Sequence, residues 1–189
     1  MEKRTLPLCG IDEAGRGPLA GPLVMAGVVL LRPVDGLNDS KVLSESRREA
    51  LYEAITACAR YCIVRFSPGE IDALGIGVCL RRGLEAVKAH FGDEVAYLFD
   101  GNSPFGVAGI RTQIKADAEV PEVSAASILA KVTRDREMVA LAKTYPQYGF
   151  ERHKGYATKA HYEALYRYGR CPVHRKSFRI RGLDEPTLF

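Results

Sequence analysis

The chain has 189 residues and a net charge of +4, with 47% hydrophobic and 26% charged residues. These values are ordinary for one folded domain and exclude a disordered or fibrous chain. The longest apolar run, Leu23 to Leu31, is shorter than the roughly 20 residues that span a bilayer, and the N-terminus lacks the apolar stretch of a secretory signal, so we expect a cytoplasmic protein that does not contact a membrane.

The first half of the chain is predicted to form three strands and two helices. Residues 6–11 and 22–31 are apolar and in places β-branched, and the glycine-rich sequence GRGPLAGP between them is typical of a tight connection. Ser44 is predicted to cap the helix that follows, because apolar residues behind it recur at helical spacing. We expect a third strand at 62–66 and a mostly helical segment at 70–90 that is interrupted at a pair of glycines.

The second half adds two short strands and two helices. Residues 96–99 form an apolar run that ends in Asp-Gly-Asn, the pattern of a strand that stops at a turn, and 109–115 is expected to be another strand. After Pro121 the apolar side chains recur at helical spacing over the longest helix, and a last helix is expected at 158–168. Strands that come first in a cluster and then alternate with helices predict an α/β protein with a mixed sheet.

Two adjacent acids, Asp12 and Glu13, follow the first apolar strand and run directly into a glycine-rich turn. In a continuing strand their side chains would point to opposite faces. To serve one site, the backbone must therefore twist or leave the strand at Glu13, which the glycine that follows permits. An ordinary surface role for this pair stays open, because acids at strand ends are common.

A third acid, Asp100, closes another apolar run, and catalytic groups of open α/β sheets gather just beyond strand ends. If the two strands are neighbours, Asp12 and Asp100 meet there; a turn-forming role for Asp100 is the alternative. Crowded carboxylates would repel one another without a cation. Oxygen ligands with no His/Cys cluster favour magnesium or manganese over zinc.

The position of a fourth acid stays ambiguous on spacing alone. Asp117 precedes the long helix, whereas Asp135 shares the apolar face of that helix. Asp135 lies between Arg134 and Arg136, which makes a structural ion pair the simpler role for it.

Other enzyme classes lack their motifs in this sequence. It has no GxSxG elbow and no GxxxxGK[ST] loop, and its five cysteines form no CxxC pair, which argues against a disulfide framework and a thiolate zinc site. The segment from Glu151 to Gly182 contains nine Lys and Arg residues but only two Glu and no Asp. This basic part of the chain indicates a surface that docks a polyanion.

Five motifs, taken together and in order over Leu8 to Phe178, resemble bacterial ribonuclease HII: GIDEAGRGPLAGP, LNDSKVLSE, FDGN, VPEVSAASILAKVTRDREM and PQYGFERHKGYATKAHYEAL. The resemblance implies an RNase H-like fold, with a five-stranded mixed sheet flanked by helices and a C-terminal helical extension. It implies a single domain over 1–189, with a core at about 6–145, a basic helical part at about 146–182 and a tail at 183–189.

The resemblance also implies the site residues. The catalytic and metal-binding acids are Asp12, Glu13, Asp100 and Asp117, which hold two Mg²⁺ or Mn²⁺ ions, and Asp135 is the alternative to Asp117. The residues that contact substrate are Gly15, Arg16 and Gly17, which sense the ribonucleotide, Tyr156, which senses the RNA–DNA junction, and Lys41 and Lys154, which contact phosphate.

The implied activity is that of a monomeric endoribonuclease of the ribonuclease H class, which hydrolyses the RNA strand of RNA–DNA hybrids. It is expected to cut on the 5′ side of single ribonucleotides embedded in duplex DNA as well, leaving 5′-phosphate and 3′-hydroxyl ends, and so to remove ribonucleotides from the genome. A junction resolvase and a non-catalytic hybrid-binding module are the rival functions. The last residues, LDEPTLF, end in Leu188-Phe189 and are either a motif that binds a sliding clamp or an ordinary polar tail.

Overall fold

The computed structural model describes residues 6–37, 43–180 and 182–184. Its strands are β1 (Leu8–Ala14), β2 (Leu23–Leu30), β3 (Ala59–Phe66), β4 (Ala96–Asp100) and β5 (Ile110–Gln113). Its α-helices are α1 (Glu45–Thr56), α2 (Pro68–Leu74), α3 (Ile76–Phe91), α4 (Pro121–Thr144), α5 (Phe150–His153) and α6 (Lys159–Tyr168). Within these ranges, no helix combines the length and the apolar character needed to cross a membrane.

The strands form one mixed sheet in the order β3-β2-β1-β4-β5, which confirms the predicted architecture. β2 runs antiparallel to β1 and β3, whereas β1, β4 and β5 run parallel to one another. The ladder between β1 and β4 ends at the pair Ile11 and Phe99. The next residue of each strand is an acid, Asp12 in β1 and Asp100 in β4, so the parallel register brings both to the same edge of the sheet.

Helices cover both faces of the sheet. One buried cluster joins α2 and α3 to the sheet through Ile11, Met25, Ile71, Leu80 and Leu84. The opposite cluster joins α1 and α4 to the sheet through Val24, Val28, Leu51, Ile55 and Ile128. Helix α4 comes especially close to β1, because a Cβ on Gly10 would lie only 2.2 Å from the backbone of Glu122. Glycine at this position therefore lets the first turns of α4 lie against the strand that carries Asp12.

The C-terminal helices pack on the second half of α4, as the predicted extension requires. A third cluster joins α4, α5 and α6 to the connection between β1 and β2, through Leu19, Ala20, Met138, Tyr148, Phe150, Leu165 and Ile180. The second half of the connection after β1, at Leu19 and Ala20, is therefore buried against the C-terminal part.

Local signals explain most of the element boundaries. The Ser44 hydroxyl accepts a hydrogen bond from the Arg47 N–H at 3.2 Å, which confirms the predicted N-cap of α1. The predicted helix at 70–90 is divided at Gly75, whose φ of +82° ends α2. Helix α2 begins earlier than predicted, because Ser67 and Glu70 form a reciprocal capping box in front of it.

Several strand boundaries differ from the prediction, and three of them have a clear physical reason. β1 continues beyond the predicted end at residue 11 because Ala14 still pairs with Val24 of β2. β3 starts at Ala59 rather than at residue 62, because its ladder with β2 covers those positions too. β5 stops before the predicted end at 115, where Lys115 takes a left-handed conformation (φ +61°) that starts a 3₁₀ turn, Ala116–Ala118.

Candidate active site

Three aspartates from separate parts of the chain meet at one edge of the sheet. Asp12 ends the apolar part of β1, Asp100 ends β4, and Asp117 lies on the 3₁₀ turn before α4. Each offers a carboxylate oxygen, and these oxygens all lie within 4.8 Å of one another. Asp12 and Asp117 are buried, at 7% and 2% exposure. Such a group of hard oxygen donors, taken out of water, is what a magnesium or manganese ion requires.

Hydrogen bonds from neighbouring backbone fix two of these carboxylates. Asp100 Oδ1 accepts from the Ala116 N–H at 2.8 Å, so the end of β4 is tied directly to the turn that carries Asp117. Asp12 Oδ1 accepts from the Glu13 N–H at 2.7 Å, and Ser127 of α4 also hydrogen-bonds to the Asp12 carboxylate. The side chains of Asp100 and Asp12 are therefore held in place by the 3₁₀ turn, by the β1 backbone and by α4.

The protein compensates the charges of Asp12 and Glu13 only in part. Burial, followed by the nearby charges of Glu13 and Asp100, raises the pKa of Asp12 well above its ordinary value, although the bond from Ser127 lowers it. Burial also raises the pKa of Glu13 to about 6, against the lowering effect of Arg16. A divalent cation would oppose both pKa shifts, because it favours the charged carboxylates. The site therefore fits a metal by its electrostatics as well as by its donors.

Glu13 lies beside the three aspartates without belonging to their group. The backbone does not leave the strand at Glu13, because β1 continues to Ala14, yet Asp12 and Glu13 line the same cleft. Glu13 Oε1 forms an ion pair with Arg16 at 2.7 Å. Its other oxygen, Oε2, is buried and has no hydrogen-bond partner among the described residues. The role of Glu13 as a metal ligand stays a prediction that this orphaned oxygen favours.

Of the two alternatives for the fourth acid, the geometry brings Asp117 and not Asp135 to Asp12 and Asp100. Asp135 forms an ion pair with Lys131, one helical turn earlier on α4, at 2.5 Å. The expected ion pair of Asp135 is therefore present, but its partner is Lys131 rather than a flanking arginine. Helical spacing could not have found Asp117, since its position depends on the 3₁₀ turn.

The turn after β1 is shaped by its first glycine. Gly15 has a φ of +96°, and a Cβ there would lie 2.3 Å from Arg134 Nε and 2.5 Å from the Pro22 carbonyl oxygen, so no other residue fits without displacing buried atoms. Arg16 is exposed, pairs with Glu13, and lies 5.7 Å from the Phe105 ring centre. The turn thus places exposed backbone and the positively charged Arg16 side chain beside the acids.

A cleft of about 480 Å³ opens over these groups, lined by Asp12, Glu13, Ala14, Gly15, Arg16, Gly17, Arg48, Asp100, Ser127, Lys131 and Tyr156. It holds most of the predicted site residues together. It also contains three that sequence reasoning missed: Arg48, Ser127 and Lys131. The i, i+4 spacing of Ser127 and Lys131 on α4 would have placed them on one helix face, but no sequence signal showed that this face meets β1.

The other predicted substrate contacts have different outcomes. Tyr156 is 42% exposed, and its ring centre lies 5.4 Å from the Arg134 guanidinium carbon. Lys154 is not among the cleft-lining residues that the structure describes; it is left-handed (φ +50°), and its ammonium bonds to the Glu151 carbonyl oxygen. Lys41 lies outside the described residues. The phosphate-binding roles of both lysines stay predictions.

Comparison with known proteins gives one consistent result. The family model described as Ribonuclease HII matches residues 9–181. The ribonuclease HII of Sulfurovum sp. (strain NBC37-1) is 65% identical over 189 residues and covers 100% of both chains. The fold is similar to that of the PCNA:RNase HII complex from Archaeoglobus fulgidus, with a TM-score of 0.79 and 32% identity over 93% of this chain and 96% of the other. It is also similar to ribonuclease H2 from Pyrococcus horikoshii OT3, with a TM-score of 0.73 and 29% identity over 92% and 94% of the two chains.

Proposed function

The chain belongs to the ribonuclease HII family, and from that premise we propose how its acidic cleft cuts RNA. It is an endoribonuclease of the ribonuclease H class that acts on the RNA strand of RNA–DNA hybrids. The observation that supports this activity is the group of three carboxylates within 4.8 Å, drawn from three distant parts of the chain. Hydrolysis of a phosphodiester by clustered acids depends on divalent cations.

We propose that Asp12, Glu13, Asp100 and Asp117 are the catalytic acids and hold two Mg²⁺ or Mn²⁺ ions. Held by these acids, such ions would supply a nucleophilic water and stabilisation of the departing 3′-oxygen. The acids contribute position and charge: the Ala116 N–H orients Asp100, and Ser127 and the Glu13 N–H orient Asp12. No side chain needs to form a covalent intermediate, and the products carry 5′-phosphate and 3′-hydroxyl ends.

Recognition of the ribonucleotide is assigned to the turn of Gly15, Arg16 and Gly17. Without side chains at the two glycines, backbone groups can approach the 2′-hydroxyl, the group that distinguishes RNA from DNA. Tyr156 lines the same cleft with a partly exposed ring and can stack on the neighbouring deoxyribose. We therefore propose that the enzyme also cuts on the 5′ side of single ribonucleotides embedded in duplex DNA.

Basic residues around the cleft are proposed to hold the phosphates. Arg48 and Lys131 line it directly, and Lys41 and Lys154 are retained as further contacts. The basic helical part, about 146–182, would extend this surface beside the core of about 6–145. Neutralising phosphates releases counterions, so binding should weaken steeply as salt rises.

Two further proposals concern the surroundings of the enzyme. The structure solved for the Archaeoglobus fulgidus relative is a complex with PCNA, and we propose that the tail at 183–189, with its Leu188-Phe189 pair, docks on a sliding clamp. Residues 185–189 lie outside the described part of the chain. All five cysteines are free thiols, which fits a monomer that works in a reducing cytoplasm.

One assay tests the proposed function. Cleavage of all-DNA, RNA–DNA hybrid and single-ribonucleotide duplexes is measured with and without Mg²⁺. We expect cuts in the hybrid and on the 5′ side of the single ribonucleotide, only with the metal, and none in all-DNA. Cleavage of DNA alone would indicate a resolvase-like nuclease, and binding of the hybrid without cleavage would indicate a non-catalytic module; either result overturns the proposal.

A further inference from the structure

Two buried arginines lie behind the cleft, Arg134 on α4 and Arg175 after α6. They are 1% and 0% exposed, and neither forms an ion pair with an acid in the described part of the chain. Burial, followed by the charge of Arg134, lowers the pKa of Arg175 to about 10, and burial likewise lowers the pKa of Arg134. Two like charges buried side by side cost stability unless hydrogen bonds compensate them.

Arg175 obtains its compensation from the connection between β1 and β2. Its guanidinium donates to four carbonyl oxygens of that segment: Gly15 at 2.6 Å, Arg16 at 3.1 Å, Gly21 at 3.0 Å and Pro22 at 3.1 Å. The first two belong to the turn assigned to ribonucleotide recognition. The Arg175 side chain therefore forms the underside of that turn and determines where its carbonyl groups point.

Arg134 reaches the same segment and a second one. Its Nε donates to the Pro22 carbonyl oxygen at 2.9 Å, so both arginines share that acceptor, and its Nη2 donates to Ala20 at 3.1 Å. The same Nη2 donates to the carbonyl oxygen of Lys154 at 2.9 Å, and the guanidinium lies over the Tyr156 ring. One side chain therefore contacts both the recognition turn and the loop that carries Tyr156.

The chemistry of this pair is unsuited to a role in stability alone. Apolar side chains of similar size often stabilise a buried site at least as well as buried charges do. Arg134 Nη1 is buried with no hydrogen-bond partner among the described residues, which is a further cost to stability. What a guanidinium offers instead is a rigid planar fork that can fix two backbone segments at one distance, which a lysine ammonium cannot do.

We propose that Arg134 and Arg175 form a guanidinium clamp that sets the spacing between the turn of Gly15 to Gly17 and Tyr156. They are positioning residues that determine specificity for a single embedded ribonucleotide. The inference rests on the proposed function of the same site. A single ribonucleotide offers one 2′-hydroxyl to the turn, and only at the correct spacing does the next deoxyribose reach Tyr156. A uniform hybrid presents a ribose at every position, so it tolerates a displaced turn better.

The experiment compares Arg134→Lys and Arg175→Lys with the wild-type chain, using kcat and KM on both substrates with Mg²⁺. We expect the ratio of kcat/KM on the single-ribonucleotide duplex to that on the hybrid to fall at least about tenfold, since displacements of about 1 Å cost up to about 10²-fold. The affinity of the acids for Mn²⁺, measured by calorimetry, should be unchanged. Arg136→Lys is the matched control, because Arg136 lies on the same helix in an exposed ion pair with Glu49, and its ratio should equal that of the wild type.

A double-mutant cycle of Arg134→Lys with Tyr156→Ala gives a second readout, and we expect the two losses on the single ribonucleotide to be strongly non-additive. Equal losses on both substrates, or an unchanged ratio, would overturn the clamp. If Arg134→Lys does not fold, the substrate ratio of Arg175→Lys tests the clamp. If neither variant folds, the two arginines serve stability only, and the clamp is overturned as well. A wild-type chain that cuts neither substrate would refute the proposed function instead.

Discussion

The acidic cleft and the guanidinium clamp both hold like charges out of water, and they resolve the repulsion in opposite ways. In the clamp, Arg134 and Arg175 donate to carbonyl oxygens of the protein itself. In the cleft, the pKa of Asp12 is raised, by burial first and by its acidic neighbours next, so the protein compensates that negative charge only in part. The difference separates a charge cluster built to support the backbone from one built to bind a cation.

The largest expected effect comes from removing a charge in the cleft. Asp100→Asn keeps the size of the side chain and an oxygen for the Ala116 N–H, but it loses the negative charge that a metal needs. We expect the single-turnover rate on a hybrid with Mg²⁺ to fall at least about 10²-fold, because a metal-held interaction contributes several kcal/mol. Hybrid binding and the fold should persist.

Asp135→Asn is the matched control for that change. Asp135 carries the same side chain, but it pairs with Lys131 and lies outside the group of three, so we expect most of the activity to remain. If Asp100→Asn retained more than about a tenth of the wild-type rate, direct metal binding by Asp100 would be excluded.

The next largest expected effect is a pH dependence of stability that comes from two buried histidines beside the clamp, His161 and His174. The Cys171 N–H donates to His174 Nδ1, which leaves His174 Nε2–H to donate to His161 Nε2 at 3.0 Å. His161 Nδ1–H then donates to the Tyr156 carbonyl oxygen at 2.9 Å. Both rings are therefore neutral, and a proton on either would break the chain of hydrogen bonds that supports Tyr156.

The sign of the resulting pH dependence follows from the pKa values. Burial lowers the pKa of His161 to about 4, and burial with the neighbouring His161 lowers that of His174 to about 4. The unfolded chain therefore takes up protons first, and stability should fall as pH drops from about 6.5 to about 4, by up to about 1.4 kcal/mol per pH unit for each histidine. Urea unfolding of wild type and His161→Gln across this range measures it.

Burial raises the pKa of Glu13 to about 6. In that pH range Glu13 changes the free energy of unfolding in the opposite direction to the histidines, because its contribution to stability is lost as pH rises. The informative quantity is therefore the difference in slope between His161→Gln and the wild type. We expect the slope of unfolding free energy against pH to be smaller in His161→Gln by the contribution of about one proton, or about 1.4 kcal/mol per pH unit. Identical slopes would mean that His161 is not held neutral by the fold.

The sequence alone predicted the acidic cleft far better than the clamp. Asp12 and Asp100 each follow an apolar run, and adjacent parallel strands bring such residues together. Asp117 required the family resemblance, since its place depends on a left-handed Lys115 and a 3₁₀ turn that no periodicity encodes. Arg134 and Arg175 could not be found, because charged residues are normally exposed and only the tertiary fold shows that these two point inward to carbonyl groups.

The smallest expected effect tests the contrast between the two clusters directly. Asp12→Asn removes one of the crowded charges, and because the raised pKa of Asp12 means that folding disfavours its charged form, the metal-free variant should be more stable than the wild type at neutral pH. A gain of about 1 kcal/mol corresponds to roughly 2–4 °C in Tm for a chain of this size. Mn²⁺ should raise the Tm of the wild type but have much less effect on the Tm of Asp12→Asn, since the cation and the substitution both relieve the repulsion between the carboxylates. Arg175→Met leaves four buried backbone carbonyl oxygens without their hydrogen-bond donor, so it should instead lower the Tm with or without Mn²⁺. If Asp12→Asn also lowered the metal-free Tm, the carboxylates would be compensated within the protein after all, and the two clusters would not differ in kind.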